Sequence, residues 1–317
     1  MAEQLGGQPD TGGMAKLSPE KGRPPEPVAL SEEEDQELVS LLKQAREAEN
    51  KGQTALAVEL LQEYRQRYEA LRKQRIAEKK AEQGELGPET LQKNQKSLDL
   101  IFGKGRFNLQ KEYEAGNIRG LSQEQLEAIE ALPKEERYSE ILIIPGQISR
   151  EEVFQAIDQK YQERFGQSIW YEGPAKADLN QTQAAKKNPR PQGFYVIAVQ
   201  RTRETIDCRP KTADQDLTTQ LNTLKLARKE HRQLNLRGMT LPEAFLLDAF
   251  ILANEGEHAD SAKGFNRCLE ELILDEKGNP ARALRSNWLA VLSQLKVLSD
   301  SEALSIIGAR LAAVSSS

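Results

Sequence analysis

The sequence predicts an α+β protein: a helical N-terminal half, built of a hairpin and linker helices, followed by a C-terminal small sheet packed with helices. Three observations carry this expectation. Apolar residues recur at helical spacing through residues 31–83. Two short apolar runs, Ile141-Leu142-Ile143-Ile144 and Phe194-Tyr195-Val196-Ile197-Ala198-Val199, have the composition of strands, and the second is apolar on both faces, as a central strand should be. Nine of the ten residues 244–253 are apolar, the pattern of a helix enclosed on most sides.

Taken in order, residues 1–30 hold five Gly, five Pro and no aromatic residue. Such a segment buries too little apolar surface to offset its ordering entropy, so a disordered tail is expected. Ser31 and Glu34 have the spacing of a capping box. Leu38, Leu41, Leu42 and Ala45 then mark one face of a helix that runs toward Gly52. Ala57, Leu61, Tyr64, Tyr68 and Leu71 make a short heptad seam on a second helix, so residues 31–83 read as a helical hairpin with coiled-coil character. Residues 84–136 read as linker helices. Gly87-Pro88 breaks the chain, Leu91, Leu98, Ile101 and Phe102 form an amphipathic stretch, and Ser122 with Gln125 caps a further helix that stops at Pro133.

Residues 137–317 are expected to form the α+β domain. The strand at 141–144 is followed by a helix capped by Ser149 and Glu152, with Val153, Ile157, Tyr161 and Phe165 inward and Gly166 at its end. A short strand at Ile169-Trp170-Tyr171 and the central strand at 194–199 come next. Two helices follow, at about 214–235 and 241–254, the second started by a capping box of Thr240 and Glu243. Leu284, Trp288, Leu292, Leu295 and Leu298 favour a helix over 284–298, although Trp288 to Val297 also fits a hairpin.

Composition restricts the chemistry. Lys+Arg 44 against Asp+Glu 49 gives a net charge of −5, too balanced to name a partner. No apolar run approaches the roughly 20 residues that span a bilayer, and the polar, Gly-rich opening does not resemble a secretory signal. Cys208 and Cys268 are too few for a disulfide scaffold or a four-cysteine zinc module, and they favour a cytoplasmic location. P-loop, dinucleotide-binding, His-Glu-x-x-His and Gly-x-Ser-x-Gly signatures are all missing, and no cofactor is expected. Gly103-Lys104-Gly105-Arg106 pairs two glycines with two cations, but it lacks the following helix that would make it a phosphate loop and reads as a flexible turn.

Two clusters remain as candidates. Asp248 is the single polar residue within 244–253, and a buried carboxylate there needs a partner. His258 or an arginine from 201–209 would serve, or Asp248 sits on a narrow solvent-facing edge; Glu257 and Asp260 add oxygen ligands that with His258 and Asp248 would suit a divalent metal or a hydrolytic centre. The ordinary alternative is a polar loop leaving a helix. Residues 176–237 hold 13 Lys/Arg against 6 Asp/Glu. Lys186, Lys187, Arg190, Arg201, Arg203, Arg228, Lys229 and Arg232 would suit a nucleic-acid backbone or an acidic protein surface.

From about residue 137 onward the chain resembles uncharacterised bacterial proteins. The likeness rests on the strand ending Ile143-Ile144-Pro145-Gly146, the Tyr195-Val196-Ile197-Ala198 strand with trailing arginines, and Leu241-Pro242-Glu243-Ala244-Phe245-Leu246-Leu247-Asp248 followed by His258-Ala259-Asp260. It implies a single α+β unit there and no activity. The sequence therefore points first to an interaction or scaffold protein that docks a protein partner through 31–83. Nucleic-acid association through 176–237 is the alternative, and an enzyme around His258 and Asp260 comes third.

Overall fold

A computed structural model describes residues 32–132, 138, 140–172, 175–187, 193–199, 216–256, 258, 265–289, 294–300, 307–309 and 311–315. The expected tail at 1–30 and the cap residue Ser31 lie outside these. The chain divides into two units, Met1–Arg67 and Tyr68–Ser317.

In the first unit, helix α1 (Glu32–Asn50) turns through Gly52 into α2 (Thr54–Glu82), whose residues from Tyr68 onward belong to the second unit. Gly52 takes φ +73°, a conformation a side chain resists. Leu38, Leu41, Ala45 and Ala48 are buried along α1, spaced as one helical face. On α2 the face differs from the expected seam. Ala57 is buried and Leu60 and Tyr64 are half-buried, whereas Leu61 is turned to solvent. Arg67 pairs with Glu37 at 3.1 Å and with Glu63 at 3.0 Å, which ties the two helices at their surface.

The second unit continues with α3 (Pro88–Phe102), α4 (Leu109–Glu114), β1 (Ile118–Arg119), α5 (Gln123–Glu130), β2 (Glu140–Pro145), α6 (Arg150–Phe165), β3 (Trp170–Tyr171), α7 (Ala175–Asp178) and α8 (Gln183–Lys187). Then come β4 (Phe194–Val199), α9 (Leu217–Glu230), β5 (Leu236–Gly238), α10 (Leu241–Glu255), β6 (Phe265–Leu274), β7 (Pro280–Leu289), β8 (Gln294–Asp300), β9 (Ile307–Ala309) and β10 (Leu311–Val314). The protein is α+β.

Strand β4 lies at the centre of the first sheet, with all six residues buried. Its two edges are both used. Antiparallel β2 follows one edge from Pro145↔Phe194 to Glu140↔Val199. The other edge is shared by parallel β1 at its start and antiparallel β10 at its end, and β5 pairs with β10 beyond. The second sheet has the order β3-β8-β7-β6-β9. The two sheets meet where β5 approaches β6. Gly238 N donates to Glu270 Oε1 at 3.1 Å, and a Cβ on Gly238 would stand 2.5 Å from Leu269 Cβ. Only glycine fits that approach.

Helix α10 is buried from Leu241 through Leu252 and packs against α3, α6, β2, β6 and β7. Phe245 meets Phe154 of α6 edge-on at 5.6 Å between ring centroids. The local signals act as expected at its ends: Thr240 and Glu243 form the capping box, and Gly256 closes the helix in the left-handed region. Ser122 with Gln125 and Ser149 start α5 and α6 in the same way.

Two expectations need correction. Residues 284–289 and 294–298 are strand rather than helix: β7 and β8 pair antiparallel from Ala283↔Asp300 to Leu289↔Gln294. β7 also pairs with β6 on its other edge, so ladders on both sides override a leucine spacing that suits a helix. The helix expected over 214–235 ends at Glu230. A 3₁₀ turn at Arg232–Leu234 and a left-handed Asn235, φ 48°, then redirect the chain into β5. Between residues 84 and 132 the expected helices are α3, α4 and α5, and they contribute to the core. Leu91, Leu98, Ile101 and Ile118 belong to the same core as Ile143, Val196 and Phe245. Asn94 of α3 is buried and satisfies the outer edge of β2, donating to Ile141 O at 2.9 Å and accepting from Ile143 N at 2.8 Å.

Candidate functional site

Of the partners open to Asp248, His258 lies beside it in the fold. Asp248 sits mid-way along α10, whose apolar residues seal it on most sides, and it is 5% exposed. His258 follows the Gly256 cap and is 7% exposed. His258 Nδ1 lies 2.8 Å from Asp248 Oδ2, and the same oxygen accepts from the Tyr161 hydroxyl of α6. Burial first, and then the Asp248 carboxylate, push the Tyr161 hydroxyl well above its ordinary value, so it stays protonated as the donor. Phe165 closes the group, its ring 5.4 Å from the His258 ring. Such a Tyr–Asp–His cluster locks the end of α10 onto α6. Glu257 and Asp260 lie outside the described residues. Among those described, no group of three His, Cys, Asp or Glu side chains could hold a metal ion.

A second buried network surrounds the start of α10. Glu243 is fully buried and accepts from Arg237 Nη1 at 2.7 Å, from Arg237 Nη2, and from Tyr195 Oη at 2.7 Å. Burial alone would raise this carboxyl. The Arg237 guanidinium, aided by the Thr240 N–H and the Tyr195 hydroxyl, outweighs burial and lowers it to about 2. Glu271 of β6, also fully buried, accepts from Arg150, from Thr182 Oγ1 at 2.6 Å and from Leu241 N at 2.9 Å. These carboxylates are satisfied by protein groups on several sides and tie the two sheets and α10 together.

The candidate basic residues of 176–237 that are described come from α8, α9 and the turn after it. Lys186 is exposed on α8, Lys187 ends that helix, and Lys229 and Arg232 are exposed at the end of α9 and in the turn after it. Arg228 is engaged internally: its Nε donates to Leu236 O at 2.6 Å and its Nη2 reaches Glu270 at 3.5 Å. Arg190, Arg201 and Arg203, and the side chain of Lys187, lie outside the described residues.

A cleft of about 1250 Å³ opens elsewhere in the second unit. On α3 its lining runs through Pro88, Leu91, Gln92, Gln95, Lys96, Asp99 and Leu100, at spacings of three and one. One whole face of that helix, about 18 Å at 1.5 Å per residue, therefore forms the floor. Phe107 from the turn before α4 and Leu252 from the end of α10 extend the apolar surface, while Lys104, Lys160 and Arg164 add charge to that of Lys96. The carboxylates are fewer and already engaged: Asp99 accepts from Gln95 at 2.8 Å, and Glu163 from Lys160 at 2.6 Å and Gln159 at 2.8 Å. Arg164 lies over the Phe165 ring at 5.5 Å and at the C-terminal end of α6, where a cation offsets the helix dipole. Among the described residues, Lys96 and Lys104 form no ion pair, and both are exposed. None of Tyr161, Asp248 or His258 lines the cleft.

No family model, no curated protein and no solved structure matches the chain. Among the described residues, no helix is long and apolar enough to cross a membrane.

The sequence singles out Lys104 in its Gly-Lys-Gly turn and Leu91 in an amphipathic stretch. Gly103 and Gly105 take φ of +87° and +82°, a conformation open to glycine, and the turn brings Lys104 to the rim. That these residues share a cleft carries no local signal, because they come from separate helices and turns.

Proposed function

We propose that this protein acts by binding a partner, and that the cleft along α3 is its binding site. The observation that supports this reading is the pairing of an apolar floor, where half-buried Leu100 and Phe107 offer surface and the buried Leu91 and Leu252 offer little, with a rim on which cations outnumber carboxylates. Sites that recognise ligands combine broad apolar surface with a few placed polar groups in this way. Docking of a protein partner through the hairpin at 31–83 is the second reading, and the exposed Val58 and Leu61 of α2 support it. Among the exposed apolar side chains of the hairpin, Val58 and Leu61 lie three residues apart on one face of α2, while Leu56 lies on another. The two-cysteine composition supports a cytoplasmic setting.

The test uses 8-anilinonaphthalene-1-sulfonate, an apolar anion. Its fluorescence should rise saturably on titration with the full chain, and Lys104→Glu should weaken binding about tenfold through like-charge repulsion. Saturable binding that ignores Lys104→Glu and Lys96→Glu alike would locate the dye elsewhere and remove the reading.

A further inference from the structure

Resting on that reading of the cleft, we propose that its occupant is a short acidic amphipathic helix of a partner protein, laid along α3. Shape and charge both point to it. Small-molecule sites occupy about 300–1,000 Å³, and a cleft of about 1250 Å³ exceeds them. Its floor is one continuous helical face rather than a closed cup, with the lining recurring from Pro88 to Leu100 at the ridge spacing that takes a second helix. A floor about 18 Å long matches a helix of about 12 residues, whose apolar positions at i, i+3, i+4 and i+7 would settle on half-buried Leu100 and Phe107.

Charge decides the polar face of that helix. Lys160 is neutralised by Glu163, and Arg164 sits at a helix C-terminus over an aromatic ring. Lys96 from the middle of α3 and Lys104 from the Gly-Lys-Gly bend, together with Arg164, outweigh the single charge of Asp99, and carboxylates on the flank of the incoming helix are their complement. A basic helix would instead be repelled from them.

The experiment uses the full chain and a fluorescein-labelled peptide of about 12 residues, with Leu at the i, i+3, i+4 and i+7 positions and Glu at the rest. A companion peptide carries Lys in place of each Glu, and dodecanoate serves as the small amphipathic anion. The Glu peptide is expected to bind, to displace the anilinonaphthalene dye, and to bind about tenfold or more tightly than the Lys peptide. The double substitution Lys96→Glu with Lys104→Glu, both at exposed positions, should reverse that preference while the thermal melt stays unchanged. If the dye binds in the cleft and the Glu peptide fails to displace it, the helix proposal is overturned and the cleft still stands as a site. Displacement by dodecanoate but not by the peptide likewise overturns the helix proposal and assigns the cleft to a small anion. If neither dye nor peptide responds to the two substitutions, both readings fall.

Discussion

His258 and Asp248 meet inside the protein, with Nδ1 of one 2.8 Å from Oδ2 of the other, although the C-terminal end of α10 separates them in sequence. Tyr161 donates to the same oxygen. A carboxylate this enclosed is stable only while its partners stay in place. Asp248→Asn should therefore destabilise the protein by about 3–5 kcal/mol, the cost of breaking a buried pair, measured by urea unfolding. A loss within the error of a surface change would show that Asp248 lies on an exposed edge of α10.

Glu243 makes stability depend on acid. Its carboxyl is lowered to about 2 from an ordinary 4.5. The unfolded chain then binds this proton more readily than the folded one, so the contribution is complete above about pH 4.5 and is lost as pH falls toward about 2. Glu243→Gln should be less stable than the parent by about 3–5 kcal/mol at neutral pH, with the gap closing on acidification. Unfolding midpoints that run parallel for the two proteins down to acid pH would contradict this assignment.

Gly238→Ala tests the contact between the sheets. The new Cβ would stand 2.5 Å from Leu269 Cβ and 3.0 Å from Leu269 Cα, so backbone must shift on β5 or β6. A loss of about 1–3 kcal/mol is expected, the usual cost of overpacking, and differential scanning calorimetry would register it as a lower Tm. An unchanged Tm would mean that the strands separate at no cost.

Truncation tests the unit boundary. A chain starting at Tyr68 should melt cooperatively, because it keeps α3, β1 and the Asn94 bonds to β2. A chain starting at Tyr138 loses these and opens the outer edge of β2, so it should melt without cooperativity or aggregate. Equal cooperativity in both would show that α3 contributes little to the core.

The elements that could be read in the sequence are those fixed by chemistry within four residues. Ser122, Ser149 and Thr240 announce helix starts, Gly166 and Gly256 announce ends, and the all-apolar strand Phe194 to Val199 announces a central position. Asp248 could be read for a related reason: one carboxylate in an apolar helix demands a partner, and His258 is near. What could not be read depends on distant residues. The leucines of 284–298 fit a helix until β6 pairs with β7, and α3 looks like a linker until Asn94 finds β2. The cleft is the extreme case. Its cations come from α3, the 104 turn and α6, each of which alone looks like a solvated helix face or bend, so only the assembled fold brings them together.

Strand β10 is last in the chain among the strands yet inserts between β4 and β5. During synthesis, then, β4 is made long before its neighbour exists. Until residues 311–314 leave the ribosome, β4 keeps half of one edge open and β5 lacks its partner in the sheet. The first sheet can close only after translation has passed residue 314, and the nascent chain must shield a fully apolar strand for the time it takes to make the 115 residues from 200 to 314. At about 5–20 residues per second that interval is roughly 6–23 s, long enough for an unguarded edge to find another chain.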